Sequence, residues 1–465
     1  MRKYLLVFVF FNMQYGYGQT VKEKLSLAVK QLEADSQLRH ALVGFCVVDG
    51  KTGKLVYEHN AQMGLAPAST QKLFTSCAAF DLLGKDFRFK TEMGYTGSIL
   101  KDSLNGFIYF KGNGDPSFGS SRYASTAPDK VFHALTGALR IAGIKKIADV
   151  FYLDDAGFDK AAIPDGWIWQ DIGNYYGAGA WSVNWKENQY DVVLSSGDVL
   201  GKQVGMNAGT TNAISHNSFI NTISSEEAGS GDNAYIYFPL EDTLFMLRGT
   251  IPVNEKHFSI SGASTNGPGY FVNDFRQVLH KEGILQTVER RRYMMTQHIE
   301  AGNIIYSYYS PPLDSIVYWF LKKSINLYGE ALIKTIAYEK SGFGSTEKGV
   351  ELVKNFWQEK GIEKSAVNIV DGSGLSPQNR VTADALVKVL QYAKNRAWFN
   401  AFFNALPEFN GMKMKSGSIS GVRAYAGYQV SKAGTAYSFA LIINNYNGDA
   451  GSVINKMYRL LDNLK

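Results

Sequence analysis

Strand-like and helix-like apolar runs are concentrated at the two ends of this chain, and the stretch between them follows a different pattern. Near the start, Leu42-Val-Gly-Phe-Cys-Val-Val-Asp49 and Lys54-Leu-Val-Tyr-Glu58 flank the turn Gly50-Lys-Thr-Gly53, which predicts a hairpin. Val21, Leu25, Val29 and Leu32 before it recur at helical spacing, as do Leu73, Phe74, Cys77, Ala78 and Leu82 after it. Near the end, the runs around Lys413–Ser418, Arg423–Val430 and Tyr437–Asn445 predict three adjacent antiparallel strands. A closing helix follows, with Val453, Ile454, Met457, Leu460, Leu461 and Leu464 on one side. The economical arrangement joins the two ends into one antiparallel sheet flanked by helices, an α+β fold. Residues 19–88 and 263–465 then form one domain. Residues 89–262, which read as short strands, turns and a polar stretch at 195–231, form a β-rich insertion, expected to comprise two small domains.

A chain of 465 residues exceeds what one core usually serves, which agrees with this division. The net charge of +6 is spread without a basic run, so it gives no argument for nucleic acid. Residues 1–18 read as a secretion signal. Arg2 and Lys3 precede a short apolar run from Leu5 to Phe11, and Gly16-Tyr-Gly18 offers a cleavage site. No later stretch reaches the length needed to span a bilayer, so an exported mature chain without a transmembrane anchor, periplasmic or extracellular, is expected. The two cysteines, Cys46 and Cys77, both stand in apolar patterns. Buried thiols are expected, with a single disulfide as the alternative.

The chemistry is carried by three short strings. In Pro67-Ala-Ser69-Thr-Gln-Lys72, a serine opens a predicted helix and a lysine follows one turn later on the same face. That brings a hydroxyl and an amine together at a helix start, a known substitute for a serine–histidine pair. Alone, S-x-x-K is equally a helix cap followed by a surface lysine. It gains meaning from Ser324-Ile-Asn326, which interrupts the helical stretch Leu313–Lys334, and from Lys415-Ser416-Gly417 on a predicted strand. Serine with lysine, then S-x-N, then K-[ST]-G is the ordered set of the penicillin-binding proteins and serine β-lactamases. The seven histidines show no metal-binding spacing and no G-x-S-x-G elbow occurs, so neither a metal site nor a Ser-His-Asp hydrolase is expected.

Over essentially its whole mature length the chain resembles the secreted D-Ala-D-Ala carboxypeptidase/endopeptidases, the low-molecular-mass class C penicillin-binding proteins. Beyond the three motifs the resemblance rests on Lys111-Gly-Asn-Gly-Asp-Pro116, Gly166-Trp-Ile-Trp169, Tyr176-Gly-Ala178, Arg248-Gly-Thr-Ile-Pro252, Ser310-Pro-Pro-Leu313, Ser324–Glu330 and Asp371-Gly-Ser-Gly-Leu-Ser376. It implies a transpeptidase/β-lactamase-like domain interrupted by β-rich inserted domains, no cofactor, peptidoglycan stem peptides as substrate, and β-lactams as covalent inhibitors. Carried over residue by residue, Ser69 is the nucleophile, Lys72 its base, Ser324 a proton relay and Asn326 a substrate-backbone clamp. Lys415, Ser416, Gly417 and Ser418 form the wall that receives the substrate carboxylate. Ser416 replaces the family's usual threonine and keeps its hydroxyl. An aspartate of the insertion that meets the free amine of the stem peptide is expected at Asp154. Asp371–Ser376 reads as a turn that shapes the domain. A serine β-lactamase is the enzymatic alternative, opposed by the large insertion and by the absence of a class A deacylation glutamate motif. A wall-binding sensor is the non-enzymatic alternative, opposed by the intact set Ser69, Lys72, Ser324, Asn326 and Lys415.

Overall fold

The computed structural model describes residues 19–207, 218–240, 243–285, 293–296, 298–299 and 302–465. The expected signal at 1–18 lies outside the described residues. Strand Leu42–Asp49 pairs along its whole length with Ala436–Asn444, from Leu42 opposite Asn444 to Asp49 opposite Tyr437. The two ends of the chain are thereby joined into one antiparallel sheet. Its order is Glu408–Phe409, Met412–Ile419, Val422–Val430, Ala436–Asn444, Leu42–Asp49, Leu55–His59.

The two-residue alternation of the strands divides this sheet between two cores. Val43, Phe45 and Val47 face Leu25 and Val29 of helix Val21–Glu33 and Val453 and Met457 of helix Ala450–Leu461. Cys46 and Val48 join the larger core on the opposite face, which contains helix Lys72–Leu82. Every residue of that helix from Lys72 to Phe80 is buried. A helix enclosed on all sides belongs to the centre of a domain. Phe74 meets Trp357 edge-on at 5.8 Å, and Phe80 stacks on Trp398 at 5.0 Å. Each such ring contributes about 1.5–3 kcal/mol by burial. Cys46 and Cys77 are free thiols buried in this core.

The chain leaves this unit at Lys90. Strands Lys90–Leu100, Ser103–Gly112 and Phe151–Asp154 form the middle of a five-stranded sheet, with Tyr293–Thr296 and Asn303–Tyr309 at its edges. Helices Pro128–Ile141 and Gly267–Lys281 pack into the same core, where Phe271 and Phe275 meet Phe110 edge-on. A smaller core built on Val192, Leu194, Ile236, Leu247 and Ile260 belongs to strands Gln189–Ser195, Asn233–Tyr237, Phe245–Pro252 and Phe258–Ala263. Because helix Gly267–Lys281 and strand Asn303–Tyr309 share the core of the five-stranded sheet, we draw the end of the insertion near residue 310 rather than at 262. The polar stretch expected at 195–231 carries only short strands, Gly205–Met206, Phe219–Asn221 and Ser224–Glu226, with 208–217 outside the described residues. Among the described residues no helix is long and apolar enough to cross a membrane.

Candidate active site

Ser69 sits in a single 3-10 turn, Ala68–Gln71, that runs directly into helix Lys72–Leu82. Neither segment is capped at its start by a side chain, so the turn's backbone N–H groups are not claimed by a capping residue. Ala68 takes a positive φ of 45°, a sparsely populated conformation for a residue with a Cβ. Two glycines hold the turn in place. A Cβ on Gly417 would stand 2.4 Å from the Pro67 carbonyl oxygen. One on Gly374, itself at φ +84°, would stand 2.1 Å from that of Ala68. Only glycine permits both approaches.

Lys72 is fully buried, and its Nζ is held by three acceptors: Ser69 Oγ at 2.9 Å, Asn326 Oδ1 at 2.7 Å and the Ser373 carbonyl at 2.7 Å. Burial pulls its pKa down to about 7, and the Asp371 and Glu330 carboxylates work against that fall. Asn326 opens helix Asn326–Ser341, and its Nδ2 donates to the Tyr176 carbonyl of the insertion at 2.8 Å. Ser324 lies between helices Leu313–Lys322 and Asn326–Ser341 with φ at 58°. This reversal accompanies a contact in which Ser324 Oγ accepts from Lys415 Nζ at 2.9 Å. Lys415 is 1% exposed and donates also to the Ser416 carbonyl at 2.8 Å. Burial, and then the neighbouring Lys72 charge, push its pKa well below that of an ordinary lysine.

Under the lysine lies a second layer that the sequence reading did not connect to chemistry. The loop Asp371–Ser376 supplies the carbonyl that receives Lys72, and Asp371 organises that loop from within. Its Oδ1 accepts from Gln71 Nε2 at 2.9 Å, Gly374 N at 2.8 Å and Asn379 Nδ2 at 3.0 Å. Its Oδ2 accepts from Ser376 N at 2.7 Å and Trp167 Nε1 at 2.9 Å. Glu330, one turn along the helix from Asn326, accepts from Gly372 N at 3.0 Å. Burial, reinforced by Asp371, pushes Glu330 up to about 8.

The turn opens onto a cavity of about 1100 Å³. Ser69, Ser324, Asn326 and Ser418 line it from the sheet-and-helix unit, and Asp171, Tyr175, Tyr176 and Tyr235 line it from the insertion. The five residues Ser69, Lys72, Ser324, Asn326 and Lys415 thus meet in one place, with Gly417 packed beneath the serine turn. Ser418 is exposed on the cavity wall, and Ser416 is half-buried beside Lys415. Asp154 does not join them. It ends an inserted strand, is 4% exposed, and lies 3.5 Å from Lys111 Nζ and from His298 Nδ1, away from the cavity. Asp154 is thus not among the residues that line this cavity. The acid that lines the cavity is Asp171, in the short helix Trp169–Ile172, whose Oδ1 accepts from Tyr176 OH at 3.3 Å. Its only signal in the sequence is its place inside the aromatic run Gly166–Tyr176. Among the described residues there is no group of His, Cys, Asp and Glu able to hold a metal ion.

Residues 25–408 match the model of the D-Ala-D-Ala carboxypeptidase 3 (S13) family. The chain belongs to that family. It is accordingly a serine-type D-Ala-D-Ala carboxypeptidase by descent. It is 25% identical to the D-alanyl-D-alanine carboxypeptidase of Actinomadura sp. (strain R39) over 90% of this chain and 80% of that one. It is likewise 25% identical to the D-alanyl-D-alanine carboxypeptidase DacB of Haemophilus influenzae, over 88% of this chain and 87% of that one. The crystal structure of penicillin binding protein 4 from H. influenzae shares the fold, with a TM-score of 0.79 at 23% identity, covering 94% of this chain and 98% of that one. The sheet built from both ends of an S13 chain, with a long insertion between, is therefore a fold already seen by crystallography.

Proposed function

We propose that this S13 enzyme cleaves the D,D-peptide bonds of peptidoglycan stem peptides through an acyl-enzyme on Ser69. The observation that carries this reading is the position of Lys72 Nζ, 2.9 Å from Ser69 Oγ and so far removed from water that burial brings its pKa to about 7. In its neutral form the amine accepts the Ser69 proton as Oγ adds to the substrate carbonyl. The resulting oxyanion is received by the backbone N–H groups of Ser69 and Ser418, a stabilisation of about 3–4 kcal/mol. The carbon–nitrogen bond then breaks, and the proton taken up by Lys72 passes by way of Ser324 Oγ, which Lys415 holds in line, to the leaving D-amino acid, so that Lys72 is neutral again. Water attacks the ester, Lys72 accepts its proton and returns it to Ser69 Oγ, and the serine is restored with release of the shortened peptide.

The cavity exceeds what a terminal dipeptide fills, and about a third of its lining residues come from the insertion. This supports an endopeptidase activity on cross-linked stems beside the carboxypeptidase activity. Asp171 takes over the part first expected of Asp154, as acceptor for the free amine of the stem's diamino acid. β-Lactams acylate the same serine, and export to the wall compartment follows from the substrate. The test is mass spectrometry after exposure to a labelled penicillin. One adduct, on Ser69, is expected, absent in Ser69→Ala. An adduct elsewhere would sink the mechanism. Slow release of the adduct separates the peptidase from a β-lactamase, which would turn over a chromogenic cephalosporin rapidly.

A further inference from the structure

Besides Ser69 Oγ, the Lys72 amine is placed by two acceptors that lie outside the serine turn, Asn326 Oδ1 and the Ser373 carbonyl. A single run of the insertion, Gly166–Tyr176, reaches the supports of both. At one end of the run the Tyr176 carbonyl accepts from Asn326 Nδ2 at 2.8 Å. At the other end Trp167 Nε1 donates to Asp371 Oδ2 at 2.9 Å, and the Gly166 carbonyl accepts from Ser376 Oγ at 2.9 Å. The seam is close. Gly166 has a φ of +82°, and a Cβ there would stand 2.9 Å from Ser376 Oγ and 3.0 Å from the Gln378 side chain.

Trp167 is the point at which this run meets the floor of the site. Asp371 is fully buried, so both of its oxygens need donors. Gln71 Nε2, Gly374 N, Ser376 N and Asn379 Nδ2 come from the catalytic unit, whereas Trp167 Nε1 comes from the insertion. An indole N–H can only donate, so it orients the carboxylate without competing for the donors of the loop. The carboxylate in turn shapes the loop whose Ser373 carbonyl receives Lys72. Trp167 does not line the cavity, although its neighbours Ile168, Gln170 and Asp171 do. Trp169 offers a comparison within the same run. Its Nε1 donates to the Phe238 carbonyl at 3.0 Å, inside the insertion, and it does not line the cavity either.

We propose that Trp167 is a positioning residue for the general base: through Asp371 it holds the Ser373 carbonyl where Lys72 Nζ stays within reach of Ser69 Oγ. The proposal rests on the Ser69 reading given above and extends the machinery from the catalytic unit into the insertion. The test uses the full-length enzyme and the variants Trp167→Phe and Trp169→Phe, each of which keeps an aromatic ring and loses one N–H. Two substrates are compared, a full stem peptide and a short N-acetylated peptide ending in D-Ala-D-Ala that lacks the diamino acid's amine. The endpoint of labelled-penicillin binding counts competent sites, so kcat refers to folded enzyme alone. Trp167→Phe should lower kcat about tenfold on both substrates and leave KM within about twofold, because the base serves whichever peptide is bound. Release of the penicilloyl group should slow by a similar factor, since Lys72 also activates the water. Trp169→Phe should keep kcat within about twofold. A merely structural role for Trp167 would reduce the number of competent sites and leave kcat per site unchanged, and that result overturns the proposal. So does a loss confined to the stem peptide or to KM, which would make Trp167 a substrate contact, or an equal loss of kcat in Trp169→Phe. Absence of the Ser69 adduct in the unaltered enzyme would remove the underlying reading and this proposal with it. An intact adduct with kcat unchanged in Trp167→Phe overturns this proposal alone.

Discussion

Lys72 is the residue on which the chemistry turns, and its environment sets a pH signature. Because the base must be neutral, acylation by benzylpenicillin should fall on the acid side with a midpoint near 7, about tenfold per pH unit below it. Rapid-quench rates between pH 5 and 9 measure this, and a midpoint near 10 would show that Lys72 is not the base. The same depressed pKa bears on stability. The unfolded chain holds the Lys72 proton up to about pH 10.5 and the folded chain only up to about 7, so the penalty is full below 7 and fades as pH rises toward 10.5. Lys72→Met should therefore abolish acylation by a factor on the order of 10³ or more. Met also leaves the Asn326 Oδ1 and Ser373 carbonyl acceptors without their donor, so the linkage appears in the pH dependence: the stability of Lys72→Met relative to the unaltered enzyme should improve between pH 10 and pH 6 by an amount on the order of 4 kcal/mol. Thermal unfolding at both pH values checks the sign. Gly417 gives a geometric counterpart. A methyl group there meets the Pro67 carbonyl oxygen at 2.4 Å, so Gly417→Ala should displace the strand from the serine turn and slow acylation about 100-fold, read from the adduct rate.

The elements that carry the site were legible to the extent that their signals are local. Ser69 with Lys72 needs only one turn of helix, Ser324–Asn326 shows as a break between helices, and Lys415–Gly417 lies on a strand whose apolar neighbours announce it. The loop Asp371–Ser376 reads as a turn, which it is, but nothing local in the sequence marks it as the floor beneath Lys72. Its bonds to Gln71 and Thr75 cross some three hundred positions of chain, and no spacing rule encodes them. The same holds for Glu330, whose place in a helix was plain while its burial against Gly372 was not. An element held this way has a sharp point of failure. Both oxygens of Asp371 face donors, so Asp371→Asn must turn an amide N–H₂ group toward other N–H groups whichever way it is placed. A loss of about 3 kcal/mol in urea unfolding is expected, together with loss of acylation as the Ser373 carbonyl moves away from Lys72. A loss under about 1 kcal/mol would show that the loop is held by other contacts.

At the scale of the molecule, the union of the two chain ends in one sheet could be read from strand periodicity, whereas the insertion could not be read in the same way. Its short strands yield two cores, and which of its acids faces the cleft follows from how those cores lean on the catalytic unit. Asp154 ends a buried strand and Asp171 opens onto the cavity, though both look alike in sequence. The insertion also grips helix Asn326–Ser341 from outside. Tyr176 accepts from Asn326, Lys334 donates to the carbonyls of Ala161 and Ala180, and Tyr328 OH donates to Glu187 at 2.9 Å. Glu187 reaches inward from a run in which Lys186, Glu187 and Asn188 all have positive φ, near 52°, 56° and 53°. Such a run persists only where surrounding contacts determine it, here Trp185 N on Asn188 Oδ1 and Asn188 Nδ2 on the Gly179 carbonyl. The inserted cores are thus a brace for the S-x-N helix as well as a wall of the cleft. Glu187→Gln weakens that brace by removing the charge that pairs Arg122, while its amide must turn an N–H group toward one of its former donors. About 2 kcal/mol of stability should be lost, measured by urea unfolding. The acylation rate should fall less than tenfold, because Asn326 keeps its bond to Tyr176. The acid midpoint near pH 7 should stay in place, because Glu187 is not among the charges that act on Lys72. A shifted midpoint would mean that the insertion reaches the nucleophile through its electrostatic field rather than through the position of a helix.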